Sequence, residues 1–215
     1  MTLATFLSAH KKVTRSLRNL IQDYQNQLQA DQFEKFLGSL NDALLQARTE
    51  ILRAPAGPER ARLLHKMIDQ EIRQSTKVST TCQKGCAACC HMEVEITSDE
   101  ATILVELIDN GFAIDTERLA LQAARPAQST GWQERMKSTT NRCVFLNSEN
   151  SCGIYDSRPL MCRRHAVTSP AVNCESFGSE ISTLYFPRVD LLISAANEDN
   201  QLKVGPMAKM IVARN

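Results

Sequence analysis

Apolar residues recur at three- and four-residue steps through the first 80 residues of the chain, and this spacing is typical of amphipathic helices. It predicts two helices before a break at residues 55–58, which contain two prolines and a glycine, and a third helix after it. Asp31 followed by Glu34 predicts a capping box at the start of the second helix. Apolar stripes of this width normally face a core, so we interpret the region as a helical scaffold. The apolar positions are Val13, Leu17, Leu20, Ile21, Tyr24 and Leu28, then Phe33, Phe36, Leu37, Leu40, Leu44 and Ile51, then Ala61, Leu64, Met67, Ile68 and Ile72.

The pattern changes at Ser79, where cysteines and turn residues replace the helical spacing. Helix is expected to return after Thr97, which stands three residues before Glu100 and predicts a second capping box. Gly111 is expected to end that helix, and a short polar helix is predicted over residues 115–125.

Strand signals are confined to one short stretch. The β-prone runs 143–146 and 153–155 flank the polar residues 147–150, which predicts a small hairpin. Pro159 is tolerated in a first helical turn, so a further helix is expected to begin at Asp156 or Ser157. The helices outnumber the strands, which places the chain in the α+β class with mainly α structure.

Composition and charge exclude several classes of function. A chain of 215 residues with 43% hydrophobic content can bury a core without disulfide staples. Its formal charge of +1, from 25 basic and 24 acidic residues, gives no field that would concentrate nucleic acid or an anionic membrane. No run approaches the roughly 20 apolar residues of a membrane span, and the first residues lack a secretion signal. We therefore expect a cytoplasmic protein with no nucleic-acid or membrane partner.

Eight cysteines carry the candidate chemistry, and none lies in the N-terminal third. In a reducing cytosol, free thiols in two clusters are better explained by metal binding or redox chemistry than by disulfides. Thiolate is a soft ligand that suits zinc or an iron-sulfur cluster. Cys89 and Cys90 are adjacent, so their side chains point in different directions and rarely both bind one small ion. Either one of them is not a ligand, or the first block is shared by two metals or by a cluster. The clusters are Cys82-x3-Cys86-x2-Cys89-Cys90 and Cys143-x8-Cys152-x9-Cys162-x11-Cys174.

Three other uses of these cysteines stay open. Disulfides would need an oxidising compartment, and buried structural cysteines would not cluster four within nine residues. A catalytic cysteine would pair most simply as Cys162 with His165. His165 and His91 could also complete a mixed Cys/His site. Basic residues beside the cysteines could balance thiolate charge, and these are Lys84, Arg142, Arg158, Arg163 and Arg164.

The blocks CQKGCAACC and CVFLNSENSCGIYDSRPLMCR resemble the YkgJ-type cysteine-cluster family, whose members are zinc- or iron-chelating or iron-sulfur proteins. The resemblance covers residues 82–163 and implies metal chelation, with Val144 standing where the family often has proline. Cys174 falls outside the pattern and is the weakest candidate ligand. The matching residues are Cys82, Cys86, Cys89 and Cys90, then Cys143, Phe145, Leu146, Cys152, Ile154, Tyr155, Arg158, Pro159, Cys162 and Arg163.

Two enzyme classes share part of this motif. Flagellin lysine methylases carry a similar cysteine motif, but the chain has no glycine-rich signature of a methyl-donor site. The first three cysteines also match the spacing of radical S-adenosylmethionine enzymes, whose large barrel would not fit in the chain that follows Cys89. Whether the protein is an enzyme stays open.

The sequence therefore predicts an N-terminal helical layer, residues 1–78, packed on a small loop-rich cysteine domain, residues 79–175, with residues 176–215 as a C-terminal tail on the core. We predict that the domain chelates zinc or iron, including the case of an iron-sulfur cluster. The alternatives are an iron-sulfur redox or protein-modifying enzyme and a zinc-stabilised module whose N-terminal helices bind a protein partner. The predicted metal ligands are Cys82, Cys86, Cys89, Cys90, Cys143, Cys152 and Cys162, with Tyr155, Arg158 and Arg163 orienting them.

Overall fold

The computed structural model describes residues 1–75 and 78–214, which form two compact units. The helical unit comprises Met1–Ser75 with Phe186–Leu202, and the cysteine unit comprises Thr76–Tyr185 with Lys203–Asn215. The α-helices are α1 Leu3–Ala9, α2 Arg15–Gln27, α3 Ala30–Ile51, α4 Pro58–Ser75, α5 Ser98–Asp109, α6 Thr116–Ala124, α7 Leu160–Arg164, α8 Pro187–Asn197 and α9 Met207–Val212. The strands are β1 Glu95–Thr97 and β2 Val204–Pro206, and the 3₁₀ helices are Ala88–His91, Thr130–Lys137, Thr139–Asn141, Tyr155–Ser157 and Ala171–Glu175.

The three predicted N-terminal helices are confirmed as α2, α3 and α4, and α1 precedes them. The predicted cap of α3 is wrong, because the helix begins one residue before Asp31. Gln29 and Gln32 form the capping box instead, each side chain bonding to the backbone of the other.

Helix α8 lies against α2, α3 and α4, and its apolar side chains are buried among theirs. The hydroxyl of Thr14 donates to Asp190 at 2.9 Å, and its backbone N–H donates to Ser194 at 3.0 Å. Of the predicted tail, residues 186–202 thus belong to the helical unit and residues 203–214 to the cysteine unit.

A buried ion pair links α4 to the residues that follow α8. Arg60 Nη1 lies 2.7 Å from Asp199 Oδ2, and both side chains are largely shielded from solvent. The backbone N–H of Gln201 and the Arg60 guanidinium hold the pKa of Asp199 below its usual value.

The caps predicted in the cysteine unit are confirmed. Thr97 and Glu100 form a reciprocal capping box on α5, and Gly111 follows the end of that helix with φ +93°. The predicted polar helix is α6, which Asp115 caps by accepting a hydrogen bond from the Arg118 backbone. Buried side chains from β1, α5, α6, α9 and residues 144–154 form one core. It includes Ile96, Leu104, Leu119, Phe145, Ile154 and Ile211.

The two-stranded sheet joins distant parts of the chain, with β1 antiparallel to β2 and Ile96 opposite Gly205. The segment predicted as a hairpin turns back on itself through a single antiparallel bridge, Leu146 to Cys152. Its turn is held instead by the side chain of Asn147, which accepts from the backbone of Glu149 and Ser151. The mainly α, α+β class is confirmed. In the described residues, no helix is long and apolar enough to cross a membrane.

Candidate metal centre

The cysteines lie on five short segments of the cysteine unit, and all eight are free thiols. Such segments have little regular structure of their own, so the thiols depend on loop contacts for their positions. Cys82 and Cys86 lie in a loop, Cys89 and Cys90 on the 3₁₀ helix Ala88–His91, Cys143 and Cys152 on either side of a turn, Cys162 on α7 and Cys174 on the 3₁₀ helix Ala171–Glu175.

Small residues allow the first block to turn tightly. Gly85 adopts φ +87°, a conformation that other residues rarely take, and the backbone N–H of Cys86 donates to Gln83 O at 3.0 Å. Cys90 N then donates to Ala87 O at 2.9 Å as the chain enters the 3₁₀ helix.

Backbone contacts join the two cysteine blocks. Cys143 N donates to Cys90 O at 2.8 Å, which sets the start of the second block beside the end of the first. The buried carboxylate of Glu100 accepts from Leu160 N at 2.6 Å and so holds the first turn of α7, which carries Cys162.

The turn that carries Cys143 and Cys152 is closely packed. Gly153 N donates to Phe145 O at 2.9 Å. A Cβ added at Gly153 would lie 2.8 Å from Phe112 Cζ and 3.1 Å from Phe145 O, so a larger residue beside Cys152 would force the Phe112 ring to shift.

Five thiols influence one another's protonation, and we call Cys89, Cys90, Cys143, Cys152 and Cys162 the five-cysteine group. A hydrogen bond from the Cys90 thiol lowers the pKa of Cys89 to about 7, and the same contact raises the pKa of Cys90. Burial raises the pKa of Cys143 to about 11 and also raises that of Cys152 and Cys162, with neighbouring thiolates adding to each shift. Four thiolates would repel one another here unless a cation joined them.

Arg158 supplies positive charge beside this group. Its guanidinium lies 4.0 Å from the centre of the Tyr155 ring, and its charge lowers the pKa of Cys89 and Cys152. Its Nε is buried and has no hydrogen-bond partner among residues 1–75 and 78–214. A buried donor without an acceptor is costly, and a thiolate or cluster sulfide would satisfy it.

The other predicted accessory side chains are also in this region. Arg163 donates through Nε to Arg158 O at 2.8 Å and through Nη2 to Asp156 O, which links α7 to the segment before it. Tyr155 is exposed apart from its contact with Arg158.

Three further cysteines form what we call the second group, Cys82, Cys86 and Cys174. Burial raises the pKa of Cys174, and the charges of Cys86, Cys82 and Cys89 add to it. Cys174 was the weakest predicted ligand because it falls outside the cysteine pattern of the YkgJ-type family. The signal that could have found it is the total of eight cysteines, which equals two sets of four.

The two candidate histidines have different surroundings. His91 is buried and its Nδ1 lies 3.0 Å from Ala87 O, with burial lowering its pKa. Burial and the charges of Arg164 and Arg135 lower the pKa of His165.

The donor set fits a soft metal by its chemistry: cysteine sulfur dominates it, and a buried guanidinium nitrogen beside it lacks an acceptor. Among residues 1–75 and 78–214, no three Cys, His, Asp or Glu side chains already converge closely enough to hold an ion. If these thiols hold a metal, their side chains must move from the positions in this structure, and rotation about the Cα–Cβ bond is one such movement.

Comparison with known proteins bears on the same residues. Residues 81–182 match the model of the CxxCxxCC family, whose description is "Putative zinc- or iron-chelating domain". The matched range includes all eight cysteines, so Cys174 lies inside the family domain. Searches of the curated proteins and of the solved structures found no match. Residues 81–182, the part of the chain that holds the cysteines, are therefore similar to the CxxCxxCC family.

Proposed function

We propose that this domain holds a thiolate-ligated metal centre, zinc or an iron-sulfur cluster, on Cys90, Cys143, Cys152 and Cys162, with Cys89 beside them. The observation that carries the proposal is that hydrogen bonds hold these segments in place: Cys143 N donates to Cys90 O at 2.8 Å, and Leu160 N, at the start of the helix that carries Cys162, donates to Glu100 at 2.6 Å. Zinc would supply a redox-inert crosslink there, whereas a cluster would supply a one-electron redox couple.

The charges around the group support an anionic centre. Four thiolates on zinc carry a net charge of about −2, which needs nearby cations or donors. Arg158 fits this need, because its positive charge favours the thiolate forms of Cys89 and Cys152. Its buried Nε could donate a hydrogen bond to one of these sulfurs.

The position of the group in the fold supports a crosslinking role. Its members come from the first block, the turn and α7, which are well separated in the sequence. A shared metal would add a link whose binding free energy stabilises the folded state. Removing one ligand should therefore lower both metal content and stability.

Proton competition gives the centre a defined pH dependence. Burial raises the pKa of Cys143 to about 11 and also raises that of Cys162, so a metal must displace protons from both thiols near neutral pH. Metal affinity should therefore fall as the pH falls and rise as it rises.

The free thiols also bear on location. We infer a cytoplasmic protein, because a reducing compartment keeps thiols available as metal ligands.

The test is elemental analysis for zinc, iron and acid-labile sulfide on the full chain purified without oxygen. Cys143→Ser and Cys162→Ser should each reduce bound metal and lower the thermal midpoint. Met161→Ser changes an exposed neighbour of Cys162 on the same helix and should leave metal content unchanged. Full metal occupancy in both cysteine variants would overturn the proposal.

A further inference from the structure

We propose that the second group forms a metal site of its own, with Cys82, Cys86 and Cys174 as ligands and Cys89 as the fourth. This goes beyond the centre proposed above, which keeps Cys90, Cys143, Cys152 and Cys162. The eight cysteines would then divide into two tetrahedral sets.

Contacts with Val167 bring the first and last cysteines of the second group to the same place. Val167 N donates to Cys82 Sγ at 3.3 Å, and Thr81 N donates to Val167 O at 2.9 Å. Cys174 is buried in a small cluster with Val167 and Ala88. Cys82 and Cys174 thus both lie against Val167, although they are far apart in sequence.

The helix that carries Cys174 also contacts the first cysteine block. The 3₁₀ helix Ala171–Glu175 lies against the 3₁₀ helix Ala88–His91, which carries Cys89. The thiol charges that act on Cys174 are those of Cys86, Cys82 and Cys89. These are the three other members of the proposed site.

The number of thiols in the five-cysteine group supports moving Cys89 to the second site. Five thiols exceed the four positions of a tetrahedral centre. The Cys89 and Cys90 thiols contact each other in this structure, and consecutive side chains leave a 3₁₀ helix about 120° apart, so Cys89 would have to turn away from Cys90 to serve a second ion. Cys89 is the fourth ligand that geometry offers, because the 3₁₀ helix that carries it lies against the 3₁₀ helix that carries Cys174.

An arginine stands beside the second group as Arg158 stands beside the first. Burial raises the pKa of Cys174, and the positive charge of Arg135 partly offsets that rise. The Arg135 guanidinium lies 5.9 Å from the centre of the Phe177 ring. Its Nε and Nη1 are buried and have no hydrogen-bond partner within the part of the chain that the structure describes. A site of four thiolates at Cys174 would accept from these donors and balance the charge.

The backbone of Arg135 is also strained. Its φ of +50° and ψ of −128° interrupt the 3₁₀ helix Thr130–Lys137. Asn141 Nδ2 donates to Arg135 O at 3.2 Å and helps to hold that conformation. Such strain persists where the surrounding structure enforces it, and here it accompanies a buried guanidinium beside Cys174.

The test is an oxygen-free titration of the metal-stripped full chain with Co²⁺ alone, followed by thiolate-to-metal charge-transfer absorption. The wild type should bind two equivalents, and Cys174→Ser and Cys143→Ser should each lose one. Cys82 is exposed, so Cys82→Ser should lose the same equivalent as Cys174→Ser without disturbing a core. Arg135→Gln should bind that equivalent about tenfold more weakly.

Two results would overturn the second site. If the wild type binds one equivalent that Cys143→Ser removes and Cys82→Ser retains, the second site is absent and the centre proposed first stands. If the wild type binds no Co²⁺, both assignments fail. Circular dichroism of each variant before titration separates lost binding from lost folding.

Discussion

Glu100 is the residue whose replacement should most clearly damage the cysteine unit without touching a cysteine. Its side chain is buried on α5. One carboxylate oxygen accepts from Thr97 N and from Thr97 Oγ1, both at 2.9 Å. The other accepts from Leu160 N at 2.6 Å, at the start of α7. Glu100→Ala would remove these bonds and leave the two backbone donors buried.

The magnitude follows from the number and charge of these bonds. A hydrogen bond to a charged group contributes about 1.5–3 kcal/mol, and the three share one acceptor group, so their effects do not add fully. We expect Glu100→Ala to lower the free energy of unfolding of the cysteine unit by about 3–5 kcal/mol, the range for breaking a buried charged network. That corresponds to a fall of roughly 6–20 °C in the thermal midpoint.

The assay is urea unfolding followed by circular dichroism, with metal content measured on the same samples. Glu95 is exposed on β1, so Glu95→Ala should change stability by less than about 0.5 kcal/mol. Because Glu100 positions the helix that carries Cys162, Glu100→Ala should also bind less metal. A loss of stability below about 1 kcal/mol would refute the role assigned to this carboxylate.

Three further predictions use other parts of the chain. Gly153→Ala should cost about 1–3 kcal/mol by overpacking, whereas Gly38→Ala, which has open space in α3, should stabilise by about 0.5–1 kcal/mol; thermal melts compare the two. Asp199→Asn should lower stability by about 1–3 kcal/mol at neutral pH. Since the folded state depresses the pKa of Asp199, this difference should shrink as the pH falls below about 4, which urea titrations at two pH values measure. In metal-free protein near neutral pH, iodoacetamide should alkylate Cys89, with a pKa of about 7, before Cys143, with a pKa of about 11, as mass spectrometry would show.

Local features of the fold could be predicted because their causes lie close together in the sequence. The capping box of Thr97 and Glu100 spans one turn, and Gly111 supplies the conformation that ends α5. The cap of α3 was missed because Gln29 is not among the residues that usually cap helices.

Pairing across long stretches of sequence could not be predicted. Strands β1 and β2 have three residues each, and their partners are set by tertiary contacts rather than by alternation. The same limit applied to the cysteines, because spacing grouped Cys174 with Cys162, whereas Val167 brings it to Cys82. The sequence predicted seven candidate ligands and left open whether they serve one metal or two, and the division of the eight cysteines into two sets is our proposal from the contacts of Val167.

The most direct test of the central claim is X-ray absorption at the zinc or iron edge of protein purified without oxygen. Thiolate ligation predicts a first shell dominated by sulfur, at about 2.3 Å if the metal is zinc. A first shell of nitrogen and oxygen would contradict the claim that cysteines hold the metal.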